Sequence, residues 1–272
     1  MSDRQGKSQK AIRLGTHGED YGSWMSNPVF YMVGGLAVLA VLLAILSFAV
    51  FHISILGILF AIIIAGLLVV LIWITWIRRQ YAFDGGGIME QVHQTILDHL
   101  DYDGRGTLLD VGCGSGALSI RAALTWQETK VVGIDYWAAV YNYSQTLCEK
   151  NATSEGAGNR CTFYHGDANK LDFPDGSFDA VVSNYVYHNI TGADKRELLL
   201  ETLRVLKKGG VFALNDEMKP GMYGDMEAFA KKLRDMGYEE VRLIDTAKEV
   251  FGSHRRAAMM MLGESRMLVG RK

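Results

Sequence analysis

Hydrophobic and polar positions divide the chain into three regimes. Residues 29–77 contain no Asp, Glu, Lys or Arg. One membrane-spanning helix needs about 20 consecutive apolar residues. The run therefore predicts two spans, about 29–50 and 54–77, joined by a turn around Phe51, His52, Ile53 and Ser54. Over 86–100, Ile88, Met89, Val92, Ile96, Leu97 and Leu100 recur at helical spacing and predict one amphipathic helix. The stretch Asp84-Gly85-Gly86-Gly87 supplies a joint ahead of it. Beyond about residue 105, short β-branched runs alternate with longer amphipathic stretches. Strands are predicted over 107–111, 130–134, 161–165, 178–183, 211–215, 240–244 and 267–269, with helices near 116–126, 137–150, 192–207, 223–236 and 254–262. Such alternation predicts a doubly wound, Rossmann-like α/β sheet of seven strands, most of them parallel. The chain then divides into an N-terminal segment (1–28), a two-helix transmembrane hairpin (29–77), a linker with a cap helix (78–104) and an α/β domain (105–272).

Composition sharpens this picture. Apolar residues make up 49% of the 272, and the excess sits in 29–77. That run is too long and starts too late for a cleaved signal peptide. Arg4, Lys7, Lys10 and Arg13 precede the first span, Arg78 and Arg79 follow the second, and the turn between them carries no Lys or Arg. The positive-inside rule then predicts both ends, and the α/β domain, on the cytoplasmic side of a cell membrane. Trp73 and Trp76 stand where an interfacial belt is expected. His52 is the only ionisable residue in the apolar run, which argues against transport or proton relay. The net charge of −2, without a Lys/Arg stripe, argues against a nucleic-acid partner. Cys113, Cys148 and Cys161 form no CxxC pair and no metal-ligand spacing, so no metal site is expected.

Candidate chemistry gathers at predicted strand ends, where an open α/β sheet binds its ligand. In Leu108-Leu109-Asp110-Val111-Gly112-Cys113-Gly114-Ser115-Gly116 a strand runs into a glycine loop and then a helix. Glycines permit a tight turn and close approach to a ligand. The spacing is GxGxG with an acid two residues ahead, not the GxGxxG of a dinucleotide site; an acid there suits an ammonium neighbour better than a phosphate. Val131-Val132-Gly133-Ile134-Asp135 is an apolar strand ending in an acid able to accept from ribose hydroxyls. Gly166-Asp167-Ala168, Phe178-Asp179-Ala180-Val181-Val182-Ser183-Asn184 and Leu203-Arg204-Val205-Leu206-Lys207-Lys208-Gly209-Gly210-Val211 follow in order.

Each motif alone is weak. Together, over about 86–245, they resemble the class I S-adenosylmethionine-dependent methyltransferases, the group that includes the quinone-biosynthesis methyltransferases. The resemblance implies S-adenosyl-L-methionine as cofactor. It makes Asp110 the acid that orients the methionine amino group and Gly112, Cys113, Gly114 and Gly116 the loop beneath methionine and ribose. Asp135 becomes the ribose acid, with Tyr136 or Trp137 flanking the adenine. Gly166, Asp167 and Ala168 meet the adenine amine and ring, and Asn184 lines the methionine end.

On the acceptor side, Ser183-Asn184-Tyr185-Val186-Tyr187-His188 offers Tyr185, Tyr187 and His188 as catalytic candidates. Histidine is the side-chain type suited to act as a general base near neutral pH, and a structural role is the competing reading for His188. Read as an extended segment, Tyr185 and Tyr187 alternate, so at most one faces the pocket. Ahead of the first span, Tyr21 and Trp24 read either as interfacial anchors or as part of a lid over the site. Closeness to a bilayer predicts an apolar or amphiphilic acceptor: a quinol, phenol, lipid amine or thiol. A membrane-bound sensor that binds S-adenosylmethionine without turnover is the alternative. An NAD-dependent reductase would need GxGxxG and a Tyr-xxx-Lys pair, and neither is present; arsenite methylation would need a cysteine set in the acceptor pocket, whereas Cys148 and Cys161 fall on a predicted helix and on the third predicted strand.

Overall fold

A computed structural model of the chain describes residues 14–16, 19–22, 27–49, 54–83, 85–138 and 143–272. Trp24, the turn residues Phe51, His52 and Ile53, the basic residues Arg4, Lys7, Lys10 and Arg13, and Asp84 lie outside the described residues.

Two long helices, α1 (Asn27–Ala49) and α2 (Ser54–Tyr81), pack against each other as a hairpin. Within them Phe30–Ala49 and Ile55–Tyr81 are long and apolar enough to cross a membrane. α2 runs past its expected end, through Arg78 and Arg79 to Tyr81. Large apolar side chains such as Met32, Ile55, Ile62, Val69 and Ile72 point outward. Close approach between the helices occurs at Gly57, where a Cβ would overlap the Phe48 ring; Gly34, Gly35 and Gly66 face open space. Only the base of the hairpin is buried against the domain. Ile74 and Ile77 join its core, and the Tyr81 hydroxyl donates to the Met260 carbonyl.

The cap helix α3 (Ile88–His99) follows, then β1 (Gly106–Val111), α4 (Ala117–Thr125), β2 (Thr129–Asp135), α5 (Gln145–Ser154), β3 (Cys161–His165) and β4 (Phe178–Asn184). After a short 3-10 turn, Tyr187–Asn189, come α6 (Lys195–Arg204), β5 (Leu206–Glu217), α7 (Pro220–Tyr223), α8 (Met226–Asp235), β6 (Glu239–Ile244), α9 (Thr246–Phe251), α10 (His254–Met259) and β7 (Ser265–Arg271). The seven expected strands all form, in the order β3-β2-β1-β4-β5-β7-β6. β1 to β5 pair in parallel, and β7 runs antiparallel to β5 and β6.

Successive strand residues face opposite sides of a sheet. Leu108 accordingly joins the core shared with α3, α4 and the hairpin base, while Leu109 and Val111 join the core beneath α6 and α8. β1 pairs with β2 on one side and β4 on the other. The strand order reverses there, and such a switch opens a crevice at the carboxyl ends of the strands.

Local expectations fail in several places: besides the two below, the helix expected over 192–207 ends at Arg204 and β5 already begins at Leu206. The segment after β4 is not extended: Tyr185 takes a positive φ of 57°, which ends the strand, and the 3-10 turn follows. A Tyr has no intrinsic preference for that conformation, so long-range contacts impose it. Second, α5 begins only at Gln145, capped by the Ser144 hydroxyl accepting from the Leu147 N–H.

Candidate active site

β1 delivers Asp110 to the crevice with its side chain buried. The Ser119 hydroxyl of α4 donates to it at 2.6 Å. Burial pushes the Asp110 carboxyl up to about 7 despite that hydrogen bond, and nearby Asp135 adds to the rise. A buried acid so poorly compensated is matched to a cationic ligand group.

Gly112, Gly114 and Gly116 all have positive φ, of 74°, 57° and 85°, which is the conformational reason for the GxGxG pattern. At Gly112 a Cβ would also overlap Val186. The loop spends most of its amides internally. The Gly112 and Cys113 N–H groups both donate to the Ile134 carbonyl, at 2.8 and 2.9 Å. The Gly114 N–H donates to Asp135 at 2.9 Å. These amides form no phosphate cradle, in keeping with the departure from GxGxxG.

Asp135, at the end of β2, accepts from the N–H groups of Gly114 and Trp137, and burial raises its pKa. Trp137 turns back, its indole N–H donating to the Gly114 carbonyl at 2.9 Å. Tyr136 is exposed, with its ring 5.2 Å from that of His165. Asp167 is exposed after β3 and accepts from the Asn169 backbone and side chain. With Gly166, Ile134, His165, Leu171 and Phe173 it lines a cavity of about 340 Å³; Ala168 is half-buried beside Asp167.

Across the switch, Asn184 ends β4. Its carbonyl oxygen accepts from Asn215 at 2.8 Å, and its amide faces the Met89 sulfur of the cap helix at 3.9 Å. Arg121 of α4 fastens that helix through Glu90, at 3.0 Å, and Gln94. His188 lies in the 3-10 turn, partly exposed, with its Nδ1 hydrogen-bonded to Asp216. Asp216 is completely buried. It also accepts from the His188 N–H at 3.0 Å, the Glu217 N–H at 2.7 Å and the Tyr223 hydroxyl at 2.7 Å. Acceptance by a carboxylate fixes the proton on Nδ1 and leaves Nε2 as the basic nitrogen.

The two tyrosines behave differently from His188. Tyr187 is fully buried and bonds Thr202 at 2.9 Å, so it packs the core behind the sheet and offers nothing to the crevice. Tyr185 directs its hydroxyl to Ser265 at 2.7 Å. Burial raises both phenols well above their ordinary range, which keeps them protonated. Tyr21 is no interfacial anchor: it is buried against the domain, its ring 4.7 Å from Phe83.

Asp216, Ser119 and Asn151 are site-proximal residues that reasoning from the sequence passed over. Asp216 had a signal: Asn215-Asp216-Glu217 is a polar end to an apolar strand, the position where ligands meet such sheets.

A family model described as a methyltransferase domain matches residues 109–214. The 27-O-demethylrifamycin SV methyltransferase of Amycolatopsis mediterranei (strain S699) is 27% identical over 191 residues, covering 69% of this chain and 67% of that protein. A demethylmenaquinone methyltransferase of Symbiobacterium thermophilum is 28% identical over 135 residues, covering 49% of this chain and 51% of that protein. The chain thus spans about half the length of the second relative. Among solved structures, the cyclase SpnF superposes with a TM-score of 0.53 at 20% identity, over 67% of this chain and 80% of that one. At that identity the likeness is one of fold alone.

Proposed function

From the premise that this chain is a class I S-adenosylmethionine-dependent methyltransferase, we propose that it methylates an apolar or amphiphilic small molecule drawn from a membrane in which its own N-terminal hairpin sits. The observation that carries the enzymatic reading is the pairing of two differently built sites across one strand switch: buried Asp110 with its glycine loop on one side, His188 backed by buried Asp216 on the other.

The residues fit the cofactor. Asp110 is a buried acid raised to about 7 that a ligand ammonium would neutralise. Asp135 retains lone pairs for ribose hydroxyls, and the absence of side chains at Gly112, Gly114 and Gly116 lets backbone approach closely. When bound, S-adenosylmethionine supplies a methyl group already activated on a sulfonium. The protein's remaining task is to bring a nucleophile in line and to take its proton if it carries one. His188 does the second: Nε2 receives the proton while Nδ1–H stays on Asp216, whose charge stabilises the imidazolium. Tyr223 and two backbone N–H groups hold Asp216 in place.

The acceptor class rests on the hairpin. Its outward apolar faces are incompatible with water and suited to lipid. Arg78 and Arg79 at the end of α2 favour a cytoplasmic domain. Tyr81 and the cap helix hold that domain close to the hairpin base. The demethylmenaquinone relative is named for an acceptor of the expected kind.

The test is transfer of a labelled methyl group by full-length protein in lipid nanodiscs to a panel of quinols, phenols, lipid amines, hydrophobic thiols and matched polar acceptors. Label in the apolar group is expected. Label confined to freely soluble polar acceptors would remove the acceptor proposal. Tight cofactor binding with no label in any fraction of a membrane extract would favour the sensor reading.

A further inference from the structure

We infer that residues 14–16 and 19–22, ahead of the first apolar helix, form an outer wall of the cofactor loop, and that Asn151 is the positioning residue that ties the two together. This rests on the cofactor assignment above. Leu14 and Tyr21 are buried in the domain core, although they precede the hairpin in sequence. The Gly15 N–H and the Tyr21 hydroxyl both donate to one oxygen of Glu155 on α5's C-terminal side, at 2.8 and 3.2 Å. One turn earlier stands Asn151, fully buried. Its amide donates to the Asp20 carbonyl at 2.9 Å and to the Ser115 carbonyl at 3.1 Å, and its oxygen accepts from the Asp20 N–H at 3.2 Å. Ser115 answers directly, its hydroxyl donating to the Tyr21 carbonyl at 3.1 Å.

Ser115 is the residue between Gly114 and Gly116. A loop with three glycines has more conformational freedom to lose than a loop of its length without them. Asn151 and the Tyr21 carbonyl restrain Ser115, which stands between two of those glycines. Tyr143 adds packing at the same place: a Cβ on Gly22 would come within 2.8 Å of one edge of its ring, and one on Gly114 within 3.6 Å of the other. Asn is a poor helix former, and its burial inside α5 with every polar contact directed at the segment or the loop is a local cost with a positioning role. Residues 23–26 alone separate this segment from α1, so the seating of the hairpin and the shape of the cofactor loop are linked through the chain itself.

The test measures S-adenosylhomocysteine affinity by calorimetry on the full chain in nanodiscs, together with kcat and KM for S-adenosylmethionine. Asn151→Ala removes the tie; Leu14→Asp unseats the segment from its apolar anchor. Each is expected to raise Kd and the cofactor KM about tenfold, with kcat at saturating cofactor nearly unchanged, a split that general loosening of the fold would not produce. Ser115→Ala, which removes only the hydroxyl that reaches Tyr21, is expected to raise Kd about fivefold and serves if Asn151→Ala does not fold. Wild-type binding of S-adenosylhomocysteine with all folded variants within about twofold of it overturns the inference and leaves the cofactor assignment intact. Failure of the wild-type protein to bind overturns both.

Discussion

On the β1–β2 side of the strand switch the crevice is shaped by backbone; on the β4–β5 side it is shaped by side chains. Positive φ at three glycines and internally satisfied amides give the first its form. Asp110 and Asp135 supply the carboxylates there. The second is a cluster of long-range side-chain hydrogen bonds converging on Asp216, which orients His188. A backbone-shaped site tolerates almost no substitution but accepts one fixed ligand. A side-chain-shaped site can be altered without losing the fold, as suits the part of an enzyme that meets the variable substrate.

The sharpest way to break this comparison is to ask whether the two sides fail separately. His188→Gln and Asp216→Asn are each expected to lower kcat by about 10²- to 10³-fold for a protonated acceptor, while the affinity for S-adenosylhomocysteine stays near wild type. A parallel loss of affinity would show that the sides are not independent. Gly112→Ala should do the reverse. Its Cβ overlaps Val186 and the φ of 74° is strained for alanine, so thermal unfolding is expected to show a loss of about 3 kcal/mol, with cofactor binding lost as well.

A smaller, graded effect concerns pH. The Asp110 carboxyl lies near 7 in the folded protein against an ordinary 3.8. The folded state then holds the proton more tightly than the unfolded one. Its contribution to stability therefore declines as pH rises from about 4 to about 7 and is constant above that range. Pairing with an ammonium requires the ionised form. Cofactor Kd should fall about tenfold per pH unit up to about 7 and then level off. Asp110→Asn should flatten both profiles, which calorimetry and thermal melts across pH will show. Smallest is Tyr187→Phe: a loss of about 1 kcal/mol from the Thr202 hydrogen bond, with turnover unchanged. A fall in kcat there would return Tyr187 to the crevice.

Legibility in the sequence followed the same division. The glycine loop, Asp110 and Asp135 could be read because their chemistry is local: a strand, a turn and a helix start within a few residues. His188 could be nominated by type and position, but its partner stands 28 residues away on β5, and no spacing rule connects them. Tyr187 was nominated by proximity and turned out to pack the core, because the positive φ at Tyr185 diverts the chain into a 3-10 turn. The buried place of Tyr21 was equally hidden, since its hydroxyl meets Glu155, just past the end of α5 and more than a hundred residues on.

The sequence by itself determined the elements. Periodicity sets helix against strand, an uncharged run of two helix lengths sets the hairpin apart, and glycine spacing marks the turn from β1 to α4, where three positive φ angles favour glycine. Tertiary structure alone decided which polar groups meet. The orientation of His188 by Asp216, the isolation of Asp110 from water and the clasp of Asn151 on the pre-hairpin segment each depend on burial and on contacts between distant parts of the chain. Hydrogen bonds act over about 3 Å, and only the folded sheet brings those groups within that reach.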